Sequence, residues 1–528
     1  MLAPQERRMH SQESIASAPA DRSDWRSWCD LADAAARLGR WADVVTALGH
    51  AAELNPNSGA VARNLGGALL NMGRFEDARA ALRSAVVLEP DNVHGRLTYA
   101  RLMIDMGLHH EALAEIEEGS RRALAGMLAA RSGASGISPD DLAVVREIGL
   151  LLDRSNQVDG LRRLLAAAEQ AGIAAEKLGY LAASVALRDG RPEDARALLL
   201  DDRQPVDTVL RCRLMTRIAD AIGDTDEAFA AAEQMNRAVY GYDEWRRRGA
   251  AYRAHIRMTA RIVTPEWGSR IHRAESDDEV PAPAFLVGFP RSGTTLLDTF
   301  LMGHPDTRVI EEGSMLEKAT GVISDTPELD WPSEAVMRAR TTYLGELSRH
   351  VRPSFTGLVV DKHPLNMLRL AVIYAIFPDA KIIFAQRHPC DVVLSGFMQS
   401  FQLNHAMASF LDVGDAADFY DAVMTIWTLS HEAVPLAIHT VAYERLTADP
   451  GGELRPALEF LGLEWCDDLL DHQATARSRG SIVTASYDQV VQPLNRAPSG
   501  RWRRYRKQLE PVLPILLPWA ERLGYDID

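Results

Sequence analysis

The sequence predicts an α + α/β chain, in which an N-terminal all-α repeat array precedes a C-terminal α/β domain with a parallel sheet. In the first half, residues of matched type recur every 34 positions, a period typical of paired helices that stack. In the second half, short apolar runs alternate with helical segments, which is typical of parallel strands covered by helices. A chain of 528 residues is long enough for two or more such domains.

The repeat array is predicted to span residues 25–273. A small residue follows the first helix of each unit, with a period of 34 or 33 that one insertion of 15 residues interrupts; these residues are Gly39, Gly73, Gly107, Asn156, Gly190 and Gly223. We expect the insertion to lie within residues 120–140, where residues 132–136 have a loop-like composition. No unit can bury its apolar face alone, so about six units should stack into a solenoid. The fixed period disfavours a plain helical bundle.

Three further segments complete the predicted organisation. Residues 1–24 are polar and are expected to be disordered, and a helix from Trp245 to about Arg273 should cap the array. Residues 274–283 are acidic and end in prolines, which predicts a linker. The α/β domain is then expected to occupy residues 284–528.

The overall charge and composition exclude several classes of function. With 58 basic and 73 acidic residues, the net charge of −15 argues against a general nucleic-acid binder, which needs a basic face. The four cysteines are widely scattered and show no metal-ligand spacing, so no metal site is predicted. No apolar run reaches the roughly 18 residues that cross a bilayer. We therefore expect a cytoplasmic protein without a membrane anchor.

A glycine-bounded turn between a strand and a helix is the most informative stretch. The apolar run 284–287 predicts a buried strand, and residues 296–302 have helical spacing. The turn from Gly288 to Thr295 lies between them, a geometry that aims backbone N–H groups and a helix N-terminus at an anion. Its Gly-x-x-x-x-Gly spacing resembles a triphosphate loop, but Thr294 replaces the lysine, and Arg291 is the only cation in the turn. An ordinary strand–turn–helix corner is the alternative.

Charged and aromatic residues follow three other predicted strands. Lys362 follows the run 358–360, Arg387 follows 382–385, and Tyr443 follows 440–442. Ligands of parallel sheets bind outside the carboxyl ends of the strands, so these residues should converge with the glycine turn. Ser395, eight residues after Arg387, should join them from a helix. A ligand with two separate phosphate-like groups would fit, and metal-free transfer of an activated group fits better than ATP hydrolysis.

Two motifs in this half resemble those of sulfotransferases that use 3′-phosphoadenosine 5′-phosphosulfate (PAPS). Residues 290–296 look like the 5′-phosphosulfate loop, and residues 383–389 with Ser395 look like the 3′-phosphate motif, about 95 residues further on. Within that family, the chain is most similar to tyrosylprotein sulfotransferases and to bacterial tetratricopeptide-repeat sulfotransferases. Further shared markers are His304-Pro305, Glu311-Glu312, Asp361-Lys362-x-Pro364, residues 486–490 and residues 523–526. The 34-residue array itself resembles tetratricopeptide repeats.

The resemblance implies a P-loop-like sulfotransferase domain, PAPS as co-substrate and a set of site residues. The residues implied to hold the 5′-phosphosulfate are Arg291, Ser292, Gly293, Thr294 and Thr295. Those implied at the 3′-phosphate are Arg387, Ser395 and Arg501, with Tyr443 at the adenosine and Ser486 at the phosphosulfate bridge. Glu312 would be the catalytic base, and Lys362 with Arg291 would stabilise the leaving oxygen.

Several alternatives stay open at this point. Glu311 or His363 could be the base instead of Glu312. The acceptor hydroxyl could belong to a protein or peptide tyrosine, a carbohydrate or another small alcohol, because Ser314 replaces an arginine with which the animal enzymes read acidic residues. A kinase-like phosphotransferase and a scaffold with an inactive enzyme domain are the other function classes. The array could bind a partner protein or form a homodimer.

Overall fold

The structure is a computed structural model that describes residues 21–106, 108–131, 139–202, 206–275, 281–324, 331–352, 354–478, 494 and 499–527. These residues fall into two compact units, one up to residue 204 and one from residue 205. Most of the expected disordered segment 1–24 lies outside the described residues, as does half of the expected linker. No described helix has both the length and the hydropathy that crossing a membrane requires.

The first unit consists of consecutive helices that pair in chain order, as in tetratricopeptide repeats. The helices α1 to α10 are Trp25–Arg37, Trp41–Leu54, Gly59–Asn71, Phe75–Leu88, Val93–Asp105, His109–Arg131, Pro139–Arg154, Val158–Gln170, Gly179–Arg188 and Pro192–Asp201. A short 3₁₀ helix, Ala175–Lys177, precedes α9. Small residues such as Ala47, Ala51, Ala78 and Ala85 are buried between the helices, which lets the paired helices approach closely.

The recurring small residue has a conformational cause. It lies between the two helices of a pair, where the chain adopts a positive φ: 70° at Gly39, 70° at Gly73 and 74° at Gly190. Asn156 takes the same position with a φ of 54°, and asparagine is one of the few other residues that tolerate this region. Gly107 lies outside the described residues. The 34-residue period therefore marks left-handed turns.

The insertion after the third repeat is helical up to the residues that are expected to be loop-like. Helix α6 continues to Arg131, and α7 already begins at Pro139. Much of the inserted sequence therefore lengthens a helix, because residues 120–131 contain strong helix formers and no proline or internal glycine pair. Residues 132–138, where the glycines occur, lie outside the described residues.

The second unit contains helices on both sides of a parallel sheet. The helices α11 to α25 are Thr208–Ile222, Thr225–Arg237, Tyr242–Ala260, Pro265–Gly268, Thr294–Met302, Met315–Ser324, Ser333–Leu347, Leu370–Ile376, Pro389–Phe397, Val413–Ala433, Tyr443–Ala448, Pro450–Leu461, His472–Ser478, Arg506–Leu509 and Leu513–Arg522. The 3₁₀ helices in this unit are Pro364–Arg369, Met407–Leu411, Asp467–Leu470 and Arg501–Tyr505.

Helices α11 to α13, which the repeat pattern assigns to the array, pack in this second unit. The Arg253 side chain on α13 bonds Asp415 at 2.7 Å and Asp418 at 2.8 Å, both on α20. The Ala274 N–H donates to the carbonyl of Ala375 at 2.7 Å. Buried residues of α11 to α13 also belong to the same apolar core as the sheet. The helical segment and the sheet are thus one packed body from residue 206 onward.

Five parallel strands form the described sheet in the order β2-β3-β1-β4-β5. Strands β1 to β5 are Ala284–Gly288, Thr307–Glu311, Leu358–Lys362, Lys381–Gln386 and Ala437–Ala442. Four of them coincide with strands predicted from apolar runs, whereas β2 was not predicted. Strand β2 lies at the sheet edge, and only Val309 and Ile310 are buried, so its apolar run is too short to stand out.

The two faces of the sheet bury different cores. Phe285 and Val287 pack toward helices α16 to α20, whereas Ala284 and Leu286 pack toward α15 and α22. This alternation follows from the period of two along a strand. Because all strands run in one direction, their carboxyl ends share one edge, and the residues predicted to form the site follow those ends.

Asp361 on β3 provides a first prediction. Its carboxyl is fully buried and accepts a hydrogen bond from the Tyr343 hydroxyl at 2.9 Å. Burial raises the pKa of Asp361 to about 7, although Tyr343 and Arg369 act in the opposite direction. The folded protein thus keeps a proton that the unfolded chain releases near pH 4, so this group lowers stability as the pH rises from about 4 to 7.

We expect Asp361→Asn, which keeps an acceptor for Tyr343, to remove this contribution. From pH 5 to pH 8, the free energy of unfolding of the variant should therefore rise by roughly 2–4 kcal/mol relative to that of the wild-type protein. Urea unfolding at both pH values measures the difference. Parallel pH dependences of the two proteins would contradict the assignment.

Candidate active site

The glycine turn joins β1 to α15 through two residues with positive φ. Arg291 has a φ of 77° and Gly293 one of 92°. The Ser292 N–H donates to the Phe289 carbonyl at 3.0 Å, which closes the turn. Helix α15 begins at Thr294 without a side-chain cap, so the first N–H groups of the helix face the turn. The side chains of Ser292, Thr294 and Thr295 are buried there.

Both glycines of the turn are required by close contacts. A Cβ on Gly293 would lie 2.5 Å from Cδ2 of Tyr443, and one on Gly288 would lie 2.6 Å from the carbonyl oxygen of Ala385. The Tyr443 ring therefore packs directly on the turn from the end of β5. The first motif and Tyr443, 150 residues apart in sequence, are neighbours at the sheet edge.

Three arginines form a cluster beside the turn. Arg387 donates from Nη1 to the Arg291 carbonyl at 3.0 Å, and its Cζ lies 4.5 Å from the centre of the Tyr443 ring. Arg291 donates from Nε to the Ser395 hydroxyl at 3.1 Å. Burial, followed by the charges of Arg387 and Arg501, lowers the pKa of Arg291 to about 10. Like charges this close predict an anion as their natural ligand.

Lys362 forms a second, separate cluster with carboxylates. Its Nζ is fully buried and lies 3.2 Å from Asp298 Oδ2, 3.3 Å from Glu312 Oε1 and 3.4 Å from Glu311 Oε1. Burial alone would lower the pKa of Lys362, but these three carboxylates outweigh it and raise that pKa above its usual value. The ammonium group therefore stays charged and fixed in position.

The backbone places Glu312 beside Lys362. Strands β2 and β3 pair with Glu311 opposite Lys362, and the next N–H, that of Glu312, donates to the Lys362 carbonyl at 2.7 Å. Glu312 then turns out of the strand with a φ of 48°. Its side chain is 49% exposed, against 27% for Glu311. Of the two carboxylates, Glu312 is the more accessible to a molecule from solvent.

The three residues predicted to be catalytic do not all contact one another in the structure. Glu312 and Lys362 contact each other, whereas Arg291 is directed toward α19 and bonds Ser395. The resemblance implied that Arg291 and Ser395 bind opposite phosphate ends of the donor, yet here they are hydrogen-bonded to each other. Arg291 has a positive φ, and its side chain reaches the helix that follows Arg387.

Two other predicted site residues, Arg501 and His363, have contacts of their own within the described residues. Arg501 donates from Nε to Asp220 Oδ1 at 3.1 Å. His363 lies next to Lys362, and burial lowers the pKa of its imidazole. Ser486 lies outside the described residues.

Two buried aspartates that support these groups, Asp298 and Asp391, were not predicted from the sequence. Asp298 is the only charged residue in α15, and a carboxylate in an otherwise apolar helix is a signal that could have been read. Asp391, buried on α19, accepts from the N–H groups of Gly500 and Trp502 at 2.7 and 2.8 Å. That contact joins the segment carrying Arg501 to the helix carrying Ser395, which sequence spacing cannot show.

Comparison with known proteins agrees with this geometry. The family model described as Sulfotransferase family matches residues 283–467. An uncharacterized protein of Aquifex aeolicus (strain VF5) is 30% identical over 332 residues, which cover 59% of this chain and 41% of that protein. This chain thus aligns with less than half the length of that relative.

Animal enzymes match the second half of the chain. Protein-tyrosine sulfotransferase 1 of Danio rerio is 27% identical over 259 residues, which cover 46% of this chain and 72% of that enzyme. Protein-tyrosine sulfotransferase A of Caenorhabditis elegans is 25% identical over 264 residues, or 46% of this chain and 67% of its own length. The chain therefore combines tetratricopeptide-type repeats with a segment, residues 283–467, that matches the sulfotransferase family model.

Proposed function

We propose that this domain transfers a sulfuryl group from PAPS to an acceptor hydroxyl. The observation that carries the proposal is the arginine cluster: Arg291 is half-buried beside Arg387 and Arg501 next to a glycine turn. A donor with two anionic groups fits this site, because the N-terminus of α15 can bind the 5′-phosphosulfate and the adjacent arginines can bind the 3′-phosphate. The match of residues 283–467 to the sulfotransferase family supports the same chemistry.

The donor would be held by groups from three motifs. The N–H groups at the start of α15, with Ser292, Thr294 and Thr295, would receive the 5′-phosphosulfate. Arg387, Ser395 and Arg501 would receive the 3′-phosphate, and Tyr443 would pack on the adenosine. The tight contact between Gly293 and Tyr443 supports this fit, because any side chain at residue 293 would collide with the Tyr443 ring.

The chemistry we propose is an in-line displacement at sulfur. PAPS supplies an activated sulfuryl group whose S–O bond to the bridging oxygen breaks as the acceptor oxygen bonds to sulfur. Glu312 takes the proton of the acceptor hydroxyl. Lys362, fixed by Asp298, stabilises the negative charge on the departing bridging oxygen, and Arg291 adds to the positive field there. The products are a sulfate ester and adenosine 3′,5′-bisphosphate.

A tyrosine of a protein or peptide is the acceptor we favour. Two relatives that match this domain are protein-tyrosine sulfotransferases, and the repeat array supplies a surface of the kind that contacts extended chains. A carbohydrate or another small-molecule alcohol is the second candidate, because Ser314 replaces the arginine expected beside an acidic tyrosine site.

Binding of adenosine 3′,5′-bisphosphate to the metal-free protein tests the donor assignment. We expect it to bind at least tenfold more tightly than ADP, and the advantage to disappear in Arg387→Ala. Arg349→Ala, which removes an exposed surface arginine, is the matched control and should bind as the wild-type protein does. Binding of ATP with Mg²⁺ but not of the bisphosphate would instead establish a kinase-like phosphotransferase.

A further inference from the structure

The segment that carries Arg501 is docked on the helices that precede the sulfotransferase fold. Its beginning is fixed by Asp391, which accepts from the N–H groups of Gly500 and Trp502. Its remainder lies against α11 and α12, the pair that the repeat pattern assigns to the array. Two aspartates of this pair, Asp220 and Asp226, make the charged contacts.

Asp220 is the centre of the inner contact. Its Oδ1 accepts from Arg501 Nε at 3.1 Å, from Arg504 Nη2 at 3.2 Å and from the Tyr505 hydroxyl at 2.7 Å. Asp226, by contrast, pairs with Lys507 at 2.9 Å at the outer end of the segment, where both side chains are largely exposed. The two aspartates thus hold the same segment, but only Asp220 holds the arginine of the predicted 3′-phosphate site.

The way in which Asp220 holds Arg501 leaves part of the guanidinium available. The bond uses Nε, while Nη2 lies 3.0 Å from Met398 Sδ, just past the end of α19. A thioether is a weak acceptor that a phosphate oxygen would outcompete. Arg501 is also close enough to Arg291 to lower the pKa of that group. An arginine fixed through Nε at this place can present its terminal nitrogens to an anion in the cluster.

We propose that Asp220 is a positioning residue for the donor, acting through Arg501. The helix pair α11–α12 would then be a component of the donor site, in addition to any role of the array in acceptor or partner binding. This inference rests on the proposed function, because it assumes that Arg501 binds the 3′-phosphate.

Two opposing effects decide the sign of the expected change. Removing the Asp220 charge makes the cluster more positive, which favours an anion, but Asp220 is partly exposed and shared by two arginines, so this effect is screened. Releasing Arg501 lets its long side chain sample many rotamers that binding must then freeze. The second effect is larger, so loss of Asp220 should weaken binding.

The test compares adenosine 3′,5′-bisphosphate with adenosine 5′-monophosphate, which lacks the 3′-phosphate, by calorimetric titration of the full chain. Asp220→Asn should weaken bisphosphate binding about tenfold and change monophosphate binding less than twofold. Asp226→Asn, the matched control, removes a contact to the same segment and should leave both affinities unchanged. In an Arg501→Gln background, Asp220→Asn should cause no further loss. If Asp220→Asn does not fold, Tyr505→Phe, which removes one hydrogen bond to the carboxylate, should show the same selectivity at smaller size.

Other outcomes would overturn the inference. Unchanged or tighter bisphosphate binding in Asp220→Asn, equal losses for both nucleotides, or an equal loss in Asp226→Asn would show that Asp220 does not position Arg501. Failure of the wild-type protein to prefer the bisphosphate over the monophosphate is a different result, because it would refute the donor assignment itself.

Discussion

Replacing Lys362 with methionine is expected to lower the rate of sulfuryl transfer by about 10²–10³-fold, with little change in the affinity for adenosine 3′,5′-bisphosphate. The reason is that Lys362 is the buried cation beside Glu312, where charge on the leaving oxygen would develop. An interaction that strengthens only in the transition state affects kcat rather than binding. Single-turnover kinetics with PAPS and a phenolic acceptor, together with bisphosphate titration, separate the two quantities.

The same substitution leaves the Asp298 carboxylate buried without its cation, so folding needs a control. Breaking a buried ion pair on one side costs about 3–5 kcal/mol. We therefore expect Lys362→Met to be destabilised, and Lys362→Met combined with Asp298→Leu to recover most of that loss while staying inactive. A double variant that regained both stability and turnover would show that Lys362 is structural and not catalytic.

The pKa shifts of Lys362 and His363 predict whether either group contributes to the pH dependence of the reaction rate. The carboxylates around Lys362 raise its pKa above the ordinary value, so the group stays protonated through neutral pH, and its stabilising contribution is lost as the pH rises from the ordinary lysine pKa through that raised pKa. His363 behaves oppositely, because burial lowers its pKa and favours the neutral imidazole near pH 7. A change in rate between pH 7 and pH 9 would therefore come from neither Lys362 nor His363.

Much of the site could be read from the sequence because parallel strands have a simple rule. Residues that follow strands meet at one edge, so Arg291, Arg387 and Tyr443 could be brought together without coordinates. The repeat array could also be predicted, since a left-handed turn selects glycine or asparagine at a fixed period. In both cases the local backbone geometry restricts which residue types can occur, so the sequence carries the signal.

The features that escaped prediction depend on long-range contacts. Strand β2 has only two buried residues, so no hydrophobic pattern in the sequence predicts it. Its position beside β3 depends on tertiary contacts. The contact of Asp220 with Arg501 joins residues 281 positions apart, and the separation of Arg291 from Lys362 depends on side-chain direction. Spacing in sequence constrains neither.

Glu312→Gln is expected to lower kcat by about 10²–10⁴-fold, the usual contribution of a general base. Glu312 leaves the end of β2 with a positive φ and is the more exposed of the two adjacent carboxylates, so it can reach an incoming hydroxyl. The matched controls are Glu311→Gln, which removes the neighbouring carboxylate, and His363→Gln, which removes the imidazole. We expect each of these to lower kcat less than tenfold and all three to keep bisphosphate affinity.

A series of phenolic acceptors makes this test specific for proton transfer. An acceptor that ionises readily needs a base least, so the loss in Glu312→Gln should shrink from phenol to nitrophenol, whereas a loss caused by distorted geometry would be the same for both. If Glu311→Gln or His363→Gln shows the large loss and the acceptor dependence instead, that residue is the base. Glu312 would then serve only to hold Lys362 in place, and the acceptor would have to approach from the side of the strand end where the other group lies.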